Sequence, residues 1–455
     1  MKSIAMSTPD RIFLSSDTDV VRTHMLGVPL LRIPGSTAAF VEDLVARVRA
    51  TTTLTAPFNR VPKRWPRRRW EVIDADAVDF SHHVERTTLP APGSMRDLEA
   101  AIAHIHSRPL DRAKPLWELT VIDGLADGRI ALCFKVHHAL MDAMTLIKLM
   151  SRTFSSDVDD GEIRPIWCLP PRSSSATGGR RRLGVARTLG VMRELAAAAW
   201  RFLVEAWRPT DPAFAVPLRC PPLRRLNGRL SPHRSWAAIE FDSARLRDLA
   251  HRAGASLNEL LLAALSTVLR EYLTARGELP HRSLTAGVPA SNRGPTADPW
   301  HDANGMILVN LFTDLADPAE RLRGIIRSSR LAKEHVASMS PQAADLHAVL
   351  TFGPALLQEA TRLSGRVRAP FNVTVSNVAG PSSPQYLNGA AMDGLFAAAP
   401  LFHGQLLNMA VVSTGGRIGV AFTTCAEAMG DTSRLAELFG DAVAELEAVV
   451  QQTAA

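Results

Sequence analysis

Two α/β domains, each a sheet with packed helices, are the fold class that this residue pattern predicts. Three observations carry the prediction. Short β-prone apolar runs alternate with amphipathic helical runs in both halves of the chain. A stretch rich in Pro, Ser and Gly at 165–179 and a Pro-rich one at 209–222 separate those halves. At 455 residues the chain is too long for one ordinary core, and its 46% hydrophobic and 21% charged residues suit a globular protein with substantial buried surface. The expected divisions are an N-terminal domain over 1–165, a Pro/Arg-rich linker with one helix over 166–235, and a C-terminal domain over 236–455.

The elements follow in order. Ala38 to Val48 and Met95 to Ser107 carry apolar residues at helical spacing, whereas Glu118 to Ile122 and Ile130 to Val136 read as strands. Ala143 to Phe154 reads as a helix with Asp142 as its N-cap, since a short acidic side chain accepts from the first-turn N–H groups. Leu183 to Trp207 is an alanine-rich helical stretch. Its charges forbid a membrane span, and it either packs on its own protein or lies on a bilayer. Trp236 to Phe241 alternates as a strand, and Ser243 to Ala253 is a helix stopped by Gly254. Ser256 and Glu259 have capping-box spacing at the head of a long apolar helix through Leu273. Leu284 to Pro289, Ile307 to Leu311, Phe371 to Ser376, Gln405 to Ser413 and Ile418 to Thr424 read as strands, and Thr432 to Val450 as the closing helix.

Composition excludes several classes. No window holds the roughly 18 uncharged apolar residues of a membrane span. The opening residues, Met1 to Met6, lack the apolar core of a signal peptide. Cys133, Cys168, Cys220 and Cys425 are scattered, so free thiols in a reducing, cytoplasmic setting are expected. The formal charge of +7 is concentrated in two clusters: Lys63, Arg64, Arg67, Arg68 and Arg69 around Trp65 and Trp70, and Arg172, Arg180, Arg181, Arg182 and Arg187. Aromatics total only 6% and no stacking platform accompanies these runs, so nucleic acid is a poor partner. Solvated surface and an anionic lipid surface both fit, the latter because Trp and Arg together favour the interfacial zone.

The chemistry concentrates where the strand ending at Val136 delivers His137-His138-Ala139-Leu140-Met141-Asp142-Ala143. Consecutive strand residues point to opposite faces, so one histidine can face a cleft while its neighbour packs behind the sheet. A metal is not expected. The two histidines with Asp142 could supply three ligands, but adjacent strand histidines do not easily converge on one ion, and no Glu or further His follows at helical spacing. His82 and His83 form a second pair, but nothing nearby completes a site around them, and they read as structural. No Gly-x-Ser-x-Gly elbow supplies a competing nucleophile.

The run Pro109-Leu110-Asp111-Arg112-Ala113-Lys114-Pro115-Leu116-Trp117-Glu118, then Ile122-Asp123-Gly124-Leu125, then His-His-x-x-x-Asp, resembles the bacterial wax ester synthase/acyl-CoA:diacylglycerol acyltransferase family. Further ordered matches are Met6 to Leu14; Trp70, Asp79-Phe80, His83-Val84 and Leu89 to Gly93; Val288 to Arg293; Asn304-Gly305-Met306; and Asn372 to Pro381. The resemblance covers nearly the whole chain. It implies two chloramphenicol-acetyltransferase-like α/β domains in a V-shaped pair, with a tunnel at their interface. It also implies long-chain acyl-CoA as co-substrate, with no bound cofactor, and acyl transfer to diacylglycerol, with long-chain alcohols as a second acceptor giving wax esters. Contact with a membrane or lipid-droplet surface, at the inner membrane or on lipid inclusions, would accompany such substrates, and coenzyme A phosphates become another candidate partner for the basic clusters.

The same resemblance assigns roles. His138 is the general base, a task that suits an unperturbed pKa of about 6.5. His137 shapes the site, and Asp142 forms a structural ion pair, for which Arg293 is the candidate partner. Oxyanion or substrate-binding donors are expected among Asn304, Ser376 and Asn377, the last of which also reads as part of a strand-ending turn. One departure stands out: the family's motif ends in Asp-Gly, and here it is Asp142-Ala143. An extra methyl is harmless in a helix and disruptive where φ must be positive. Condensation onto another acceptor or from a carrier-protein donor, and a catalytically silent lipid-surface protein, are the alternative readings.

Overall fold

β-Branched and aromatic runs become strands and the capped apolar-periodic runs become helices. In the computed structural model this holds for the described residues, which are 2–63, 68–169, 211–291 and 304–454. The first half runs β1 (Lys2–Ala5), α1 (Thr8–Ser16), β2 (His24–Arg32), α2 (Thr37–Arg49), β3 (Arg60–Lys63), β4 (Arg69–Val72), β5 (Val84–Thr88), α3 (Met95–Ser107), β6 (Trp117–Asp123), β7 (Arg129–His137) and α4 (Ala143–Thr153). The second runs β8 (Arg234–Asp242), α5 (Ser243–Arg252), α6 (Leu257–Thr274), β9 (Thr285–Ser291), β10 (Asn304–Asn310), α7 (Pro318–Ala337) and α8 (Pro341–Ala360). It ends with β11 (Val373–Ala379), β12 (Tyr386–Leu387), β13 (Ala390–Ala398), β14 (Leu407–Ser413), β15 (Arg417–Cys425) and α9 (Ser433–Ala454). A few single-turn helices complete the described chain. The arginine cluster of 172–187, the helical stretch of 183–207, and Arg64, Trp65, Arg67 and Arg293 lie outside the described residues.

Two six-stranded mixed sheets organise the molecule, in the orders β12-β13-β2-β7-β6-β5 and β10-β9-β11-β14-β15-β8, beside a small sheet β1-β4-β3. Here the structure departs from a clean division at residue 236. β12 and β13 belong to the C-terminal half of the sequence, yet β13 pairs antiparallel with β2 and completes the N-terminal sheet. The run Ala390-Ala391-Met392-Asp393-Gly394 carries little β-propensity, and a bulge interrupts the pairing between Met392 and Gly394, so local pattern did not announce a strand. The crossing places β13 against β15 of the other sheet. A Cβ on Gly419 would meet the Leu395 carbonyl oxygen at 2.4 Å, so glycine is what allows the two sheets to approach.

Each half has its own apolar core, and a third cluster joins them, with Leu26, Val28, Leu30 and Phe396 packed against Trp236 and Ala421. α6 is apolar almost all round because α7 and α9 cover it as well as the sheet. The expected capping box is present at its head: Ser256 Oγ accepts from Glu259 N, and Glu259 Oε2 accepts from Ser256 N. Trp117 explains part of its motif. It stacks between Trp167 (4.5 Å) and His83 (4.3 Å) and donates from Nε1 to the Phe58 carbonyl, so His83 is a buried structural histidine. Trp70 corrects the interfacial reading: it is fully buried in β4 and donates to Asp10 Oδ2 at 2.7 Å, while Lys63 pairs with Glu71. No helix among the described residues is long and apolar enough to cross a membrane.

Candidate active site

β7 ends at His137, and the chain turns sharply, Leu140 N–H donating to the His137 carbonyl at 2.9 Å. Asp142 then caps α4, its Oδ1 accepting from Thr145 N at 2.7 Å. The strand-to-helix turn thus fixes the two imidazoles in different settings.

His137 is sealed in the interior. Its Nδ1 accepts from the Ala139 N–H at 3.0 Å, so the ring proton sits on Nε2 and points to Thr23 Oγ1, 2.9 Å away. Asp17 Oδ2 lies 3.6 Å from that same nitrogen. Burial lowers the His137 pKa, against the pull of Asp17, and the ring stays neutral. Burial works to raise the Asp17 carboxyl, but hydrogen bonding from His137 and the hydrogen bonds and charge of Arg112 outweigh it, and its pKa falls below the ordinary carboxylate value.

His138 has the opposite surroundings. Its backbone N–H is held by the Thr23 carbonyl at 2.9 Å, and its ring stacks on Phe13 of α1 at 4.2 Å between centroids, with 23° between planes. The half-buried ring forms part of the wall of a cavity of about 530 Å³. Both halves line this cavity. The first contributes Phe13, Met25, Leu26, Leu146 and Ile147; the second contributes Pro289, Met306, Ser376, Val378 and Val412. Apolar side chains dominate the lining, and its polar members include Ser376, Thr374, Glu359, His403, Gln405 and Asn408.

The polar groups are specific. Asn408 is 4% exposed, and its Oδ1 receives no hydrogen bond among the described residues. Thr374 donates to Gln405 Oε1 at 3.1 Å, leaving the Gln405 amide N–H groups to other acceptors. His403 Nδ1 accepts from Leu230 N at 3.0 Å, so its proton is on Nε2. Burial raises the Glu359 pKa, and burial followed by repulsion from Arg229 and Arg234 lowers that of His403.

The expected site residues are distributed as follows. His138 and Ser376 reach the same cavity. Asn377 does not line it: successive residues of β11 face opposite ways, Thr374, Ser376 and Val378 turn inward, and Asn377 is exposed. The oxyanion role therefore leaves Asn377. Asn304 opens β10, in register with Ser291. Arg293 is outside the described residues, while Asp142 stands as the α4 cap. Ala143 is the first residue of α4, with φ in the ordinary negative range, so its extra methyl strains no backbone. That methyl instead meets the cavity wall.

Sequence reasoning missed the groups that hold His138 in place. Arg112 donates from Nη2 to the Leu14 and Asp17 carbonyls and to Asp17 Oδ2, clamping the C-terminal end of α1. The signal was available in Arg112, inside the Pro-Leu-Asp-Arg run, but its partner lies 95 residues away.

Comparison with known proteins closes the argument. The family model for the wax ester synthase/diacylglycerol acyltransferase catalytic domain matches residues 6–261, and that for the family's C-terminal domain matches 300–447. The chain is 32% identical to an O-acyltransferase of Acinetobacter baylyi, over 92% of each chain. It is also 32% identical to a Mycobacterium tuberculosis protein named as a probable diacylglycerol O-acyltransferase, over 98% of this chain and 99% of that one. The wax ester synthase/diacylglycerol acyltransferase of Marinobacter aquaeolei VT8 superposes with a TM-score of 0.80 at 28% identity, covering 98% of this chain and 100% of that one. A condensation domain of the calcium-dependent antibiotic synthetase shares the fold alone, with a TM-score of 0.59 and 14% identity over 99% of this chain and 96% of that one. This chain belongs to the wax ester synthase/diacylglycerol acyltransferase family.

Proposed function

We propose that this enzyme transfers a long-chain fatty acyl group from acyl-CoA to the free hydroxyl of diacylglycerol, with His138 as general base. The carrying observation is an imidazole set in the wall of a largely apolar cavity that both sheets line. A hydroxyl is a weak nucleophile near neutral pH, so its proton must leave as it attacks. In this reading the hydroxyl proton passes to the His138 ring while the oxygen bonds to the thioester carbon. The C–S bond then breaks, and the ring returns the proton to the coenzyme A thiolate. Both substrates are present together, and no acyl-enzyme forms. Ser376 is the donor this reading assigns to the developing oxyanion, with Asn304 as the further candidate. His137 acts through position, its Nε2–H tied to Thr23. Long-chain alcohols are the second acceptor, and Asp142 keeps its proposed partner in Arg293.

Purified protein with oleoyl-CoA and diolein should release free thiol, and His138→Ala should lower kcat by about 10²–10⁴-fold, the range for removing a general base. Equal rates for parent and variant refute the assignment.

A further inference from the structure

Seven large apolar side chains stand exposed among the described residues, and five of them lie on α8, on the turn after it or on the segment hydrogen-bonded to that turn. Val349 (62% exposed) and Leu357 (64%) project from α8, and Leu363 (44%) and Val367 (43%) follow in the turn after it. Leu218 joins them, because its N–H donates to the Pro370 carbonyl and its own carbonyl accepts from Arg368 Nη1. The turn is ordered by hydrogen bonds, Leu363 N–H returning to the Gln358 carbonyl at 2.8 Å.

Three cations interleave with these side chains. Arg362, Arg366 and Arg368 are exposed, and none of them forms an ion pair among the described residues. Between 346 and 392 the one acidic residue is Glu359, which turns into the cavity. Apolar side chains rimmed by unneutralised arginines are what an anionic lipid surface complements, with aliphatic groups entering the acyl region and guanidinium groups meeting phosphates.

The placement links this face to the active site. At about 100° per residue, 349, 353 and 357 fall on one side of α8 and 355 and 359 on the other. Ala355 and Glu359 line the cavity that contains His138. One helix therefore has its inner side on the substrate cavity and its outer side on the apolar, basic face.

We propose that the outer side of α8, the turn through Arg368 and Leu218 dock this enzyme on an anionic phospholipid bilayer, from which the acceptor enters beside α8. The second clause rests on the reading of the cavity as the acyl-acceptor site.

The test is flotation of the full chain with phosphatidylcholine vesicles lacking or containing about 30% phosphatidylglycerol. The parent should float with the anionic vesicles and lose binding at high salt. Leu357→Asp with Leu363→Asp, and separately Gln in place of Arg362, Arg366 and Arg368, should each cut the bound fraction by about tenfold or more. Both sets should lower transfer to vesicle-embedded diolein to the same degree and leave transfer to water-dispersed octanol unchanged. Flotation of both variants at the parental level overturns the proposal. So does a parental dimer that becomes monomeric in the variants while flotation persists, since a second copy then covers this face. If the parent floats and the variants do not, yet no acceptor is acylated, the docking face stands and the acyl-transfer reading falls.

Discussion

Replacing Arg112 by Ala removes the clamp on α1 without touching the cavity's own lining. The guanidinium makes three contacts of 2.8–2.9 Å through Nη2 and a longer one from Nε to Asp17 Oδ2 at 3.3 Å. Stranding one member of a buried ion pair costs about 3–5 kcal/mol. Arg112 is 29% exposed and Asp17 13%, so solvent screens part of this, and about 2–3 kcal/mol is expected. The chemical effect should be about as large as the stability effect. α1 carries Phe13, whose ring stacks on His138, and a misplacement of roughly 1 Å at a catalytic group can cost about 10²-fold in rate. Urea unfolding and thiol release from oleoyl-CoA with diolein measure the two quantities. Arg112→Lys should recover little, because an ammonium cannot reproduce the planar fork. Phe13→Leu is the control: it should lower kcat with a smaller stability loss. An Arg112→Ala protein with parental kcat and a urea midpoint that does not move would refute the clamp.

Three further outcomes follow from the geometry. Ala143→Gly should change kcat by less than about threefold and stability by no more than about 1 kcal/mol, since the position is ordinary helix; a tenfold gain in thiol release would show that glycine was needed. Asn408→Leu should lower kcat/KM for diolein by about tenfold, roughly one hydrogen bond, in an acceptor titration at fixed oleoyl-CoA, and an unchanged value removes Asn408 from the binding site. Burial holds His83 at a pKa of about 4, so its stability contribution is complete above an unfolded-state value of about 6.5 and is lost as pH falls toward 4. Between pH 7 and 5 this amounts to about 2 kcal/mol in urea melts, and a parent equally stable at both pH values contradicts it.

What the sequence disclosed was local. Asp142 could be read as a cap, and Ser256 with Glu259 as a capping box, because cap chemistry spans three or four residues. The inward turn of one of two adjacent histidines follows from strand geometry, although which one needed the fold. Trp70 misled because cations flank it in sequence. In β4 the alternation sends Trp70 into the core while Arg69 and Glu71 point away from it. β13 was illegible for another reason. An alanine- and glycine-rich strand is held by its partner, β2, from the other half of the chain, and no local preference encodes that pairing.

The crossing strand is also what makes a two-sided site physically workable. His138 hangs from the end of β7, whereas Ser376, Thr374 and Asn408 hang from β11 and β14 of the other sheet. Two halves joined only by a linker would leave those groups free to drift by several ångströms, far beyond hydrogen-bond tolerance. β13 removes that freedom: its strand pairs with β2, its glycine-permitted contact reaches β15, and its Phe396 packs edge-on against Trp236 of β8. β2 in turn pairs with β7, and β15 pairs with both β14 and β8. From the base on one sheet to the polar groups on the other, the path runs entirely through hydrogen-bonded strands and close packing. Precision at the site therefore comes from the one element whose sequence looks least like a strand.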